Sequence, residues 1–340
     1  MEGLSVEKEG SRVMAMLRPL LEKAGKEIPQ DTLCLLATTL GEIEYLERAV
    51  LRDSEESEES CPSNLLSKIE KIIGTQNRGM VISSACSSSS VAIAEGAGRI
   101  ADREQNAVLV LACDGVSEFL YAGFSSLLAL DSIKARPFDQ NREGLSIGEA
   151  AGYILLMSEK RALHEGRKIW GEVSGWGINN DANHMTGPSR DGAGLAQAIS
   201  LALEHSGIYK ENIASISAHG TGTMYNDAME MKAFKRIFSD CAVPVYSVKG
   251  GIGHTMAAAG LIEAVIALKS LEEQKVPPTV GMEQVDEEAR GWVLDQSQQT
   301  RGEYTLSTNS GFGGVNAALV LKRKTRLRDR EGESCHSKHA

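Results

Sequence analysis

Along the chain, short wholly apolar runs alternate with longer stretches in which apolar residues recur every three or four positions. From Arg12 to Leu21 (RVMAMLRPLL) the spacing is helical, and Pro19 is expected to kink or end the helix. DTLCLLATT at 31–39 follows with the length and flanks of a buried strand. GMVISSA (79–85) reads as a strand that runs straight into CSSSSVAIAEGAGRIA (86–101), a helix with small residues on its packed face. AVLVLACDG (107–115) and AAGYILLMSE (150–159) are two further buried strands. The second half repeats the rhythm: KIWGEVSGWGIN (168–179), an amphipathic helix from Gly194 to Glu204, then IASISAHGTGT (213–223). VPVYSVKGG (243–251), the helix TMAAAGLIEAVIALKSLEE (255–273) and the pair YTLSTNSG and NAALVLKRK (304–324) complete it. Alternating strands and helices predict an α/β domain with largely parallel sheets.

Two stretches lack such a pattern. DSEESEES (53–60) is a block of like charge, expected to be an exposed, mobile loop. The end, KRKTRLRDREGESCHSKHA, loses its apolar spacing and is expected to be a frayed tail. With 340 residues the chain has room for one large domain or two fused cores. A formal charge of −10 argues against nucleic acid as a partner, because phosphate binding needs a basic face. No apolar run approaches the roughly 20 residues that span a bilayer, and MEGLSVEKEG lacks the layout of a signal peptide. Six cysteines are scattered without CxxC or metal-ligand spacing, which fits a reducing cytoplasm.

Four motifs carry candidate chemistry. In SSACSSSS (83–90), Cys86 falls where a strand meets a helix that opens on serines. The helix end is expected to lower the thiol pKa, and the Cys86 N–H can donate to an oxyanion. A buried structural cysteine is the competing reading. In AHGTGT (218–223), His219 stands at a turn, and the hydroxyls of Thr221 and Thr223 can bond an amide-bearing substrate arm. In KGGIGHTMAAAG (249–260), His254 is preceded by Lys249 and followed by Glu263, which would fix the imidazole if both are buried. NSGFGGVN (309–316) sets backbone amides against a ligand or simply turns the chain.

In this order the four motifs, with RPFDQNREGLSIGEAAG (136–152), resemble those of the β-ketoacyl-[acyl-carrier-protein] synthases of fatty-acid and polyketide synthesis, over residues 31 to 323. The resemblance implies a thiolase-like five-layered αβαβα sandwich built from two similar halves, here 1–160 and 161–323, with 324–340 as a flexible tail. It implies that Cys86 takes an acyl chain from the phosphopantetheine arm of an acyl carrier protein. His219 and His254 would promote malonyl decarboxylation, with Lys249 and Glu263 in support. Thr221 and Thr223 would hold the arm, Phe312 would gate the pocket and supply the second oxyanion N–H, and Gly313 would line the site. It implies no cofactor and no metal, and a homodimer or a heterodimer with a second ketosynthase-like subunit.

The family's usual opening strand has no counterpart before Arg12, so the first sheet is expected to lack an inner strand. Ser310 stands where a second phenylalanine is usual, and Gly250 and Gly251 where a serine-asparagine pair is common; a more open acyl pocket is the expectation. Lys134, Arg136, Arg142 and Lys249 are candidates for docking an acidic carrier. The alternatives are a chain-length-determining subunit of a heteromeric ketosynthase and a cysteine hydrolase of unrelated fold.

Overall fold

The computed structural model of the chain describes residues 10–25, 27–52, 56–239 and 241–324. Two apolar runs form the centre of the first sheet: β1 (Leu33–Ala37) and β3 (Ala107–Asp114), every residue of which is buried. Their lack of polar alternation follows from having both faces covered. With β2 (Met80–Ile82) and β4 (Ala150–Met157) they give the order β2-β1-β3-β4. β1 is parallel to β2 and β3, and β4 is antiparallel to β3.

The second sheet has the order β5-β11-β10-β6-β7. Its strands are β5 (Gly171–Asn180), β6 (Ile213–Ser217), β7 (Val245–Tyr246), β10 (Tyr304–Ser310) and β11 (Val315–Arg323). A separate short antiparallel pair joins β8 (Lys275–Val276) to β9 (Gln298–Gln299). The helices are α1 (Arg12–Ala24), α2 (Glu44–Arg52), α3 (Pro62–Ile73), α4 (Ser88–Ala101), α5 (Glu118–Ser126), α6 (Glu159–His164), α7 (Ala193–Ser206), α8 (Met224–Phe238), α9 (Lys249–Ile252) and α10 (Ala259–Glu273).

Three apolar cores glue five layers together. Val13, Leu17 and Leu21 of α1 and Leu65 and Ile69 of α3 pack on Leu36, Leu109 and Leu111 of the first sheet. Between the sheets, Ala92 and Ile93 of α4 and Leu261 and Ala264 of α10 fill the space from Leu35 and Val110 to Leu319 and Leu321. Leu195 and Ile199 of α7 and Phe234 and Phe238 of α8 close the far side over Ile216, Leu306 and Val320. This is the αβαβα thiolase-like sandwich.

Several expectations need correction. Helix α1 runs through Pro19 to Ala24, with Ser11 as N-cap accepting from the Met14 N–H. A proline inside a helix costs ~3 kcal/mol, and burial of the Val13–Leu17–Leu21–Ala24 stripe offsets it. In the acidic block, 53–55 lie outside the described residues, while Glu56–Ser60 form a short 3-10 turn rather than a loop. Residues 325–340, most of the expected tail, also lie outside the described residues.

The first sheet has no gap inside it, because β1 pairs continuously with β2 on one side and β3 on the other. Its order β2-β1-β3-β4 matches β7-β6-β10-β11 of the second sheet, and the unmatched strand is β5, outside β11. The half-to-half difference therefore falls at the edge beside β4, not in the middle.

Candidate active site

The chain leaves β2 at Ile82 and reverses through Ala85, whose φ of 48° lies in the left-handed region. Such a conformation in a non-glycine residue costs about 1–3 kcal/mol and persists only where surroundings enforce it. Here the serines enforce it. Ser87 and Ser88 hydroxyls donate to the carbonyls of Ser84 and Ala85 at 2.7 and 2.6 Å, and the Ser84 N–H donates to Ser88 Oγ at 2.8 Å. Cys86 sits on this turn, one residue before the α4 N-cap Ser87, and is 7% exposed. Burial pushes its thiol up to about 11, although the Lys249 charge and the Phe312 N–H pull it down. The lowered pKa expected from the helix end is thus not found; loss of solvent outweighs the groups that favour the thiolate.

His219 follows β6 and is buried at the junction of the halves. Its own N–H and that of Gly220 both donate to the carboxylate of Glu230 on α8, each at 2.7 Å. Lys249 Nζ donates to the His219 carbonyl at 2.5 Å and lies 3.2 Å from Nδ1. His254 is held by its backbone: its N–H donates to the Ser146 carbonyl at 2.7 Å and its carbonyl accepts from Gly148 at 2.9 Å. Neither ring nitrogen of His254 has a hydrogen-bond partner among the described residues. The two rings meet edge to face, 5.1 Å between centroids. The ligating atoms of Cys86, His219 and His254 all lie within 4.8 Å of one another. Burial, then the Lys249 charge, holds both imidazoles well below their ordinary pKa, so they are neutral at pH 7.

Lys249 and Glu263, expected to be buried supports, are both 1% exposed and form an ion pair. Sequence reading did not single out Asn309, whose Nδ2 donates to Glu263 Oε2 at 2.7 Å and stands 3.2 Å from His219 Nδ1. It also missed Glu230 and Asp114. Asp114 accepts from Thr38, from Thr39 and, at 2.9 Å, from the Ala257 N–H, tying the end of β3 to the turn after His254. A carboxylate ending an otherwise wholly apolar strand was the available signal for Asp114.

The residues expected to bind substrate divide. Thr221 and Thr223 lie side by side, their hydroxyls 2.9 Å apart. The Phe312 ring packs 5.7 Å from Phe124, beside the cluster of Leu120, Leu145 and Met256. Gly313 does not fit a binding role: its N–H donates to the Met185 carbonyl at 2.7 Å, its carbonyl accepts from Asn180, and it is exposed. The pocket is not opened at Gly250, because a Cβ there would lie 1.9 Å from the Val280 carbonyl. Ser310 donates its hydroxyl to Asn316 at 2.7 Å.

Two of the cations expected to dock a carrier are spent inside. Lys249 is paired with Glu263, and Arg142 is buried against Asp227 and Asp286. Only Lys134 and Arg136 of that set reach the surface, each near an acidic partner. Cys86, His219 and His254 have the donor types of a thiophilic metal site, but the Lys249 ammonium beside them opposes a cation. Among the described residues no helix is long and apolar enough to cross a membrane.

The comparisons with known proteins agree with this geometry. The family model of the beta-ketoacyl synthase N-terminal domain matches residues 29–162, and that of the C-terminal domain matches 170–283. The 3-oxoacyl-[acyl-carrier-protein] synthase 2 of Synechocystis is 35% identical over 275 residues, which cover 77% of this chain and 65% of that protein. The tetracenomycin polyketide synthase ketoacyl synthase alpha subunit of Streptomyces glaucescens is 32% identical over 277 residues, again covering 65% of its length. The chain thus spans a little under two thirds of these relatives. Among solved structures, a beta-ketoacyl synthase from Burkholderia phymatum superposes with a TM-score of 0.84 at 26% identity, covering 95% of this chain and 87% of that one. The ishigamide ketosynthase/chain length factor gives 0.82 at 29% identity, over 88% of this chain and 77% of that one. Matched along both halves, and with the family's nucleophile and histidine motifs brought together in one buried site, the chain belongs to the β-ketoacyl synthase family.

Proposed function

We propose that this protein condenses an acyl thioester with a malonyl thioester, with loss of CO2, to give a 3-ketoacyl thioester in fatty-acid or polyketide-type synthesis. Both substrates would arrive on the phosphopantetheine arm of an acyl carrier protein. The observation that carries the proposal is the convergence of a buried thiol and two neutral imidazoles within 4.8 Å.

In the first half-reaction Cys86 Sγ attacks the acyl carbonyl. A thiol at about 11 is protonated at neutral pH, so a neutral imidazole takes its proton as the C–S bond forms. The same proton goes to the departing thiolate of the arm. The N–H groups of Cys86 and Phe312 receive the oxyanion. In the second half-reaction the malonyl carbonyl lies against His219 and His254. The bond to its carboxylate breaks, CO2 leaves, and the electron pair becomes an enolate held by the two imidazoles. Its carbon attacks the acyl-cysteine, the new C–C bond forms, and Sγ leaves and takes up one proton. Thr221 and Thr223 hold the arm, and Phe312 gates the entrance. No step calls for a cofactor.

The protein would act as a pair, with a second copy or with a second ketosynthase-like chain. Supporting this, Phe119, Tyr121, Leu127, Leu128 and Ile133 are exposed on and just after α5, the helix that carries the gate partner Phe124.

Intact-mass analysis of carrier protein after incubation with the chain and with acyl- and malonyl-loaded carriers tests the proposal. A 3-ketoacyl product that disappears in Cys86→Ala supports it. Absence of product, with no acyl mass on Cys86, would sink it in favour of a pocket-shaping subunit.

A further inference from the structure

Asn309 is fully buried on β10, one residue before the strand ends. Its amide is used on three sides. Oδ1 accepts from the Ser90 hydroxyl of α4 at 2.5 Å, while Nδ2 donates to Glu263 Oε2 at 2.7 Å and stands 3.2 Å from His219 Nδ1. The opposite amide orientation would set oxygen against the Glu263 carboxylate, so the charge on Glu263 fixes which end faces His219. Lys249 Nζ, which can only donate, faces the same Nδ1 at 3.2 Å. Two donors aimed at one ring nitrogen require it to accept, which leaves the ring proton on Nε2.

We infer that Asn309 is a positioning residue that holds His219 in the Nε2–H tautomer, aims that N–H at the substrate carbonyl, and ties it through Ser90 to the nucleophile helix. The catalytic consequence rests on the condensation proposed above; the tautomer does not. An imidazole with Nδ1 protonated would turn a bare lone pair toward the enolate oxygen and repel it. The groups facing His219 are Lys249 from α9, Glu263 from α10, Glu230 from α8 through the backbone, and His254 and Cys86 across the pocket. Lys249 alone could rotate its donors among the His219 carbonyl, Nδ1 and Glu263, so the planar amide supplies the fixed direction. Gly260 leaves room for this junction, since a Cβ there would lie 2.1 Å from Ser90 Oγ and 2.7 Å from Asn309 Oδ1.

Asn309→Asp tests the inference, because it keeps the shape and replaces the donor with an acceptor. In 15N-histidine-labelled protein, with the His219 signals assigned by their loss in His219→Gln, the native chain should show Nε2 protonated and Nδ1 bare. In Asn309→Asp, Nδ1 should gain a proton. The acid limb of malonyl decarboxylation should move up by ~1 pH unit, with a loss of about tenfold to a hundredfold at neutral pH. Acylation of Cys86 should stay within about threefold, because it does not use that N–H. Asn309→Leu, with neither donor nor acceptor, serves if the Asp variant does not fold: its decarboxylation should fall with the acid limb unmoved. A protonated Nδ1 in the native chain would overturn the inference. So would an unshifted pH limb in Asn309→Asp, or equal loss of both half-reactions in either variant. If the tautomer is as described but no condensation occurs, the functional proposal fails and the inference stands.

Discussion

The two halves of the sandwich solve the same packing problem with different numbers of strands. In the second half β11 has a neighbour on each side, and six of its nine residues are buried. In the first half β4 holds the corresponding place next to β3, but among the described residues nothing pairs with its outer side, and all eight of its residues are only half-buried. Yet the chemical groups sit away from that edge. Cys86 follows β2, His219 follows β6, His254 follows α9 and Asn309 lies on β10, near the middle of the molecule. The comparison teaches that the site depends on strands away from the β4 edge and on contacts between the halves, and that this edge can differ without disturbing it.

The largest effect that would sharpen this contrast comes from the link between the halves. Lys249→Met leaves Glu263 buried without its partner, and loss of such a partner costs about 3–5 kcal/mol. A urea midpoint close to that of the native chain would mean that the pair matters less than its burial implies. Next in size is a matched truncation of the two strands. Leu319 of β11 is wholly buried and Leu156 of β4 is half-buried against the same core. Leu319→Ala should cost about 3 kcal/mol and Leu156→Ala about 1 kcal/mol, on denaturant unfolding. Equal costs would show that β4 is covered in solution. Hydrogen exchange reads the same difference without mutation: amides of 150–157 should exchange faster than those of 315–323.

The last effect is on pH. His219 and His254 have folded pKa values well below the ordinary one, so between those values and about 6.5 the unfolded chain binds protons that the folded chain does not. Their contribution is constant above pH ~6.5 and falls as the solution is acidified, by roughly 1.4 kcal/mol per pH unit for each histidine. Urea midpoints that do not drop between pH 7.5 and 5.5 would contradict the neutral, buried state of the pair.

Much of this was legible in the residues. The apolar runs mark the strands, and the motifs mark Cys86, His219, His254 and Lys249 by the small residues and glycines around them, and Glu263 by its place in an apolar helix stretch. What escaped depends on contacts between distant segments. The Cys86 thiol is raised because a dry pocket closes over it, against the pull of Lys249 and the Phe312 N–H, which no local helix-end argument contains. Asn309 looks like part of a turn until its amide meets Ser90, 219 positions away. Gly313 has the composition of a binding loop, but its N–H is taken by Met185. Pro19 has the chemistry of a helix stop, and tertiary burial of α1 overrides it.

The measurement that most directly tests the central claim is release of CO2 from malonyl-carrier protein by the purified chain. The account predicts release that speeds up when Cys86 is acylated and falls about a hundredfold or more in either His219→Ala or His254→Ala. A chain that accepts an acyl group on Cys86 but releases no CO2, or one whose release is indifferent to both histidines, would contradict it.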